Sequence, residues 1–254
     1  MRRLFLRALA AATALALGTG FQPSKASATP DISGVWNHYP PLPGTFSGQP
    51  DPPEWDPGTP PLREPYMSEW KTLQARRAAA EAAGKPLPDD STLCLPDGTP
   101  QIMFAHYALQ ILQNPNLRQI TILSEFMAEI RRIYLDEDLP PLDDIDPSYF
   151  GYSVAKWNGD VLEVTTAGIK ESVRFMDIPH SPNMIIREKL FIGADGLLND
   201  DVSIDDDEYL TRPFNFKIMY KKEPLSYKIG EFVCDNQHSV LLPDGSVGMK
   251  VEDK

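Results

Sequence analysis

His180 and Ser181 stand between Pro179 and Pro182 in PHSPNM, residues 179 to 184, directly ahead of an apolar run that carries one carboxylate, Glu188, in its middle. A histidine ordinarily titrates near pH 6.5, so a rigidly held one close to a carboxylate suits general acid/base chemistry. Alternation along MIIREKLFI puts Met184, Ile186, Leu190 and Ile192 on the same side as Glu188, with Arg187 and Lys189 opposite. A carboxylate on an apolar face must be paired, hydrogen-bonded or neutral. The run AEIRRIYL offers a partner, because Arg131 shares a face with Ile133 and Leu135. The expectation is that Arg131 and Glu188 meet inside the fold. Arg131 would then stabilise developing negative charge, His180 would act as acid or base at the rim, and Glu188 or Tyr134 would orient or relay a proton. The alternatives are a purely structural ion pair, a bulge that turns either charge to solvent, and a plain surface turn at His180.

Other chemistries find less support. Ser181 lies outside any G-x-S-x-G elbow, so a hydrolase nucleophile of that type is not indicated. His38, His106, His180 and His238 are scattered without HxH or HExxH spacing, and the acidic run at 205 to 208 lacks the glycine and terminal glutamate of a calcium loop, so no metal is expected. No glycine-rich phosphate loop follows a strand, and no cofactor is expected. Phe214, Phe216, Ile218 and Tyr220 share one side of their run, and with Trp157 and Ser181 they are candidates to line a site for an apolar or aromatic small molecule.

The elements that must position these residues begin after residue 28. Residues 1 to 28 read as a signal peptide, with Arg2, Arg3 and Arg7, then an apolar run too short to span a membrane, then Ala26-Ser27-Ala28 as cleavage site. The expected destination is the periplasm or beyond, with no membrane insertion. Removal takes away three arginines and Lys25 but no acid, so the formal charge of −12 falls to −16. So acidic a surface disfavours nucleic acid as a partner. Cys94 and Cys234, in an oxidising compartment, read as one disulfide, with two buried thiols as the alternative.

Residues 29 to 90 hold an opening strand at 31 to 37, a Pro-rich extended arm, and a helix at 66 to 83 with Met67, Trp70 and Leu73 on one side. From 91 to 236 the period is two, with strands expected at 101 to 113, 117 to 126, 128 to 135, 150 to 157, 160 to 168, 184 to 192, 197 to 205, 213 to 222 and 225 to 234. Asn158-Gly159 suggests a type I′ hairpin that pairs Trp157 with Asp160 and turns Ser153, Ala155, Trp157, Leu162 and Val164 to one face. A second joint is expected at 193 to 196, and 237 to 254 is read as a tail. The pattern predicts a mainly β, antiparallel barrel or sandwich.

The order of motifs is informative: Cys94-x-Pro96-x-Gly98-x-Pro100, then RRIY with Arg131, Arg132 and Tyr134, then Trp157-x-Gly159-Asp160, then Pro179-His180-Ser181, then Glu188 and Cys234. The series resembles a family of exported, mostly uncharacterised proteins of proteobacteria and acidobacteria, whose members look like lipocalin-type (calycin-like) β-barrels. The resemblance implies an antiparallel barrel and points to these residues. Where relatives carry an Asp after His-Ser this chain has Pro182, and where they carry Glu-Thr after the hairpin it has Thr165-Thr166. Both departures remove a carboxylate, which favours a binding barrel over a cofactor-independent lyase, isomerase or hydrolase.

Overall fold

A computed structural model of the chain describes residues 29–41, 56–104, 107–234, 239–243, 245 and 247–249. Residues 1 to 28, read above as a signal peptide, most of the Pro-rich arm, His106 and His238 lie outside the described residues.

Nine strands close into a barrel: β1 (Gly34–His38), β2 (Leu109–Asn114), β3 (Gln119–Ser124), β4 (Ile130–Leu135), β5 (Tyr152–Asn158), β6 (Val161–Ala167), β7 (Ile185–Ile192), β8 (Leu198–Asp205) and β9 (Phe214–Lys222). Each strand pairs with the next, and β1 pairs with both β2 and β9, which closes the wall. The short opening strand is therefore the seam of the barrel.

The expected all-antiparallel wall is corrected at one seam, where β4 and β5 run parallel. The sixteen residues between Leu135 and Tyr152 travel back along the wall before β5 begins. A connection of that length is what a parallel pair needs. Two expected strands also differ. Residues 101–104 form a 3-10 turn ahead of β2. Residues 225 to 234 carry no strand, because β1 already occupies the free edge of β9. A two-stranded hairpin, β10 (Ser239–Leu241) with β11 (Val247–Met249), lies in the segment read as a tail.

The hairpin between β5 and β6 is shifted by two residues from the expected pairing, joining Trp157 to Leu162 and Asn158 to Val161. The two-residue loop is Gly159-Asp160, and the left-handed φ of +60° falls on Gly159. Glycine at the first central position is the other favoured hairpin solution, and it leaves the inward face unchanged. Gly98 explains the C-x-P-x-G-x-P motif: its φ is +74°, and a Cβ there would lie 2.4 Å from the carbonyl oxygen of Tyr149.

Helix α1 (Tyr66–Ala82) packs Tyr66, Met67 and Trp70 on the core outside the wall. The disulfide Cys94–Cys234 ties the segment between β1 and β2 to the one that follows β9, across 140 residues. Closing a loop of that size removes unfolded-state freedom worth about 5 kcal/mol. Among the described residues, no helix is long and apolar enough to cross a membrane.

Candidate functional site

Strand register stacks the interior in rows. Ser153, Thr166, Ile186, Ile204 and Phe214 form the first row; Ala155, Val164, Glu188, Val202 and Phe216 the second; Trp157, Leu162, Leu190, Asp200 and Ile218 the third. The third row lies next to the hairpins β5–β6 and β7–β8. The first lies next to the segments that join β6 to β7 and β8 to β9. Two carboxyl groups thus stand in adjacent rows of an interior that is otherwise mostly apolar and aromatic, Ser153 and Thr166 apart.

Glu188 is engaged by Arg131, which crosses from β4. Both side chains are fully buried. Arg131 Nη1 donates to Glu188 Oε1 at 2.8 Å, and Nη2 donates to Oε2 and to Thr166 Oγ1 at 3.0 Å. Ser153 and Thr166 hydroxyls contact each other at 2.7 Å beneath the guanidinium. Burial works against the Arg131 charge, but Glu188 more than offsets it and the net shift is upward. This bidentate fork is the geometry that best repays desolvation of two charges.

Asp200 has no such partner. Both its oxygens are buried without a hydrogen bond, as is Nε of Arg131. Burial first, and then the charge of Glu188, push the Asp200 carboxyl well above the usual carboxylate range. Its surroundings favour the neutral acid over the carboxylate. Tyr220, also fully buried, is pushed up by burial and then by Asp200, and its hydroxyl donates to the Met103 carbonyl at 2.5 Å. Trp157 turns into the third row with its Nε1 buried and unpartnered.

His180 and Ser181 are placed elsewhere. His180 is buried at the first-row end, with Nδ1 2.9 Å from the Ser181 carbonyl and Nε2 2.8 Å from the Val173 carbonyl. Both nitrogens face backbone carbonyls, and the ring, which donates to one of them when it carries a single N–H, acts as a strut between two loop segments. Ser181 is held by Asp206, which accepts from its backbone N–H at 2.6 Å and its hydroxyl at 3.2 Å, and also caps the N–H groups of Glu208 and Tyr209. The PHS corner is a clamped turn. It borders a cavity of about 20 Å³ lined by Phe175, Met184, Ile204 and Leu210 among others, room for about one water molecule. Neither Arg131 nor Glu188 lines that cavity.

Tyr134 faces the other way. The alternation that turns Arg131 inward turns Tyr134 to the outer side of β4, where it stacks on Tyr152 at 5.0 Å. Phe214, Phe216 and Tyr220 face inward. Asp200 and Asp206 are the residues that sequence reasoning missed. Asp200 had a signal in its parity with Leu198 and Val202, whereas Asp206 sits in a loop and had none.

No family model and no curated protein matches the chain.

Proposed function

We propose that this protein is an exported barrel of lipocalin type that binds a small molecule with an apolar, aromatic body and at least one hydrogen-bonding group. The observation that carries the reading is the set of orphaned polar atoms inside the wall: both Asp200 oxygens and Arg131 Nε. Buried polar groups in native folds are almost always partnered, and each one left alone costs about 1 to 3 kcal/mol. A guest that offers an acceptor to Arg131 Nε, or takes the Asp200 proton in a hydrogen bond, removes that cost. Phe216 lies one inward step from the row of Asp200, a spacing of about 7 Å along a strand. The guest therefore carries its polar group within about 7 Å of its apolar body. The disulfide supports an oxidising compartment.

Native mass spectrometry of the protein purified from its own source tests this reading. The expected result is a mass above that of the mature chain, lost on denaturation, belonging to one small organic molecule. A bare mature chain that also fails to bind any aromatic probe refutes it.

A second reading, a cofactor-independent acid/base enzyme, rests on one observation: a carboxyl clamped by a guanidinium stands beside a carboxyl held neutral. Environments that separate two carboxyl groups in this way are how one site obtains both an acid and a base. In that reading Asp200 takes the proton-donor role first assigned to His180. Asp200→Asn then abolishes turnover of the co-purified molecule while leaving its binding intact.

A further inference from the structure

At the first-row end the barrel is stopped by a ring that does not belong to the wall. Phe175 is carried on the 3-10 turn Phe175–Asp177, in the segment that joins β6 to β7, and it is buried. Its ring stacks on Phe216 with centroids 5.1 Å apart and planes 22° apart, and meets Phe104 edge-on at 6.3 Å. Phe216 is in the same row as Glu188, so the stopper reaches the row of the ion pair.

The turn that delivers this ring is strained. Met176 and Asp177 have φ of 54° and 61°, left-handed values that side chains with a Cβ adopt only when surrounding contacts hold them there. Those contacts come from α1. The Asp177 carboxylate accepts from Arg77 Nε at 2.6 Å, from Arg77 Nη2 at 2.7 Å and from Gln74 Nε2 at 2.9 Å, and Trp70 Nε1 donates to the Met176 carbonyl at 3.0 Å. The Arg77 and Asp177 side chains are 31% and 19% exposed, so water has access to the latch but not to the ring it holds.

We infer that Phe175 occupies the subsite for an aromatic ring of the guest, and that the α1 latch on Asp177 sets how readily Phe175 leaves it. The inference rests on the function proposed above and adds the chemical class of the guest at this subsite. A ring that enters meets the face of Phe216 and the edge of Phe104, the two arrangements aromatic pairs favour. The existing cavity beside Phe175 is too small for it, so entry and departure of Phe175 are one event. The strained turn relaxes when the latch opens, which lowers the cost of that exchange. The apparent dissociation constant for an aromatic guest equals the intrinsic one divided by the fraction of molecules with the stopper withdrawn.

The test is titration of the full mature chain with N-phenyl-1-naphthylamine, a neutral aromatic fluorophore, in the wild type and in Arg77→Gln, with hydrogen exchange read over 173 to 178. The expected result is at least fivefold tighter binding by Arg77→Gln, or binding by that variant alone. Exchange at 173 to 178 speeds up when the probe binds. If Arg77→Gln does not fold, Gln74→Ala replaces it, with the same direction expected. Equal affinities within twofold, with exchange at 173 to 178 slowed by the probe, overturn the inference. So does a co-purified guest without an aromatic ring in a protein that refuses the probe, and in that case the binding function stands. A bare protein that refuses the probe in every variant removes both.

Discussion

Replacing Glu188 by Gln keeps the shape of the side chain and removes the charge that faces Arg131. With both side chains fully buried, breaking such a pair ordinarily costs about 3 to 5 kcal/mol, a large part of the 5 to 15 kcal/mol that holds a domain folded. Asp200 changes that sum. Its carboxyl is pushed towards the neutral form by burial first and the Glu188 charge second, while Arg131 pulls the other way. Glu188→Gln deletes the second cause and leaves Arg131 seeking a counter-ion, so Asp200 ionises and takes over part of the role. The single variant should therefore lose only about 2 to 3 kcal/mol at pH 7, below or at the foot of the usual range. Asp200→Asn alone should be neutral or stabilising at that pH, since the wild-type acid must be kept protonated in the fold while the unfolded chain releases its proton. The double variant has no substitute anion and should lose the full 3 to 5 kcal/mol, giving a coupling of about 1 to 2 kcal/mol between the two sites. Urea unfolding of the wild type, both singles and the double at pH 7 measures all four corners. Additivity within about 0.5 kcal/mol would mean that Asp200 and Arg131 do not sense one another, and the electrostatic picture of the barrel centre fails.

Two further outcomes follow from the covering segments. Reduction of the Cys94–Cys234 bridge, or its replacement by serines, should lower unfolding free energy by about 5 kcal/mol through the 140-residue loop it closes, read as the difference between denaturation curves with and without reductant. Burial first pushes the Glu129 carboxyl up to about 7; the Asp97 N–H it accepts, at 2.5 Å, works against this, and the Asp97 carboxylate adds to it. A raised carboxyl contributes stability that is complete below the unfolded pKa and disappears as pH climbs through the folded one. Glu129→Gln should thus match the wild type below pH 4 and exceed it by about 2 kcal/mol at pH 8, after allowance for solvent screening. A difference that does not vary over that range refutes the assignment.

Much of the wall was legible because one-sided burial enforces a period of two, and the sequence keeps it through β5 to β9. Parity placed Ser153, Ala155 and Trp157 on one face even though the hairpin pairing slipped by two residues, an even shift that keeps each side chain on its face. The slip moved the loop from Asn158-Gly159 to Gly159-Asp160 without changing which residues point inward. What parity could not supply was pairing direction. The Pro-rich segment from 136 to 151 reads as a loop in any topology, and only its path back along the wall makes β4 and β5 parallel. Closure was hidden for a related reason, since five residues of β1 carry no mark that they pair on both edges.

The site divides along the same line. Glu188 and Arg131 were visible because each is a lone charge among apolar neighbours, and a lone charge on a buried face demands a partner. Asp200 obeys the same parity as Leu198 and Val202, yet it lies in the triplet Asn199-Asp200-Asp201, and three consecutive polar residues read as a solvent-facing stretch. Its position matters more than that of His180. His180 has the side chain most often chosen for proton transfer, but both its nitrogens face backbone carbonyls at hydrogen-bond distance rather than the barrel interior. Asp200 has a less obvious side chain in a place that keeps its proton on and its oxygens unclaimed. Residue type proposes chemistry, and hydrogen-bond occupancy decides which group is free to perform it. By that criterion the guest proposed for this barrel would be met by Asp200 and the Nε edge of Arg131 rather than by His180.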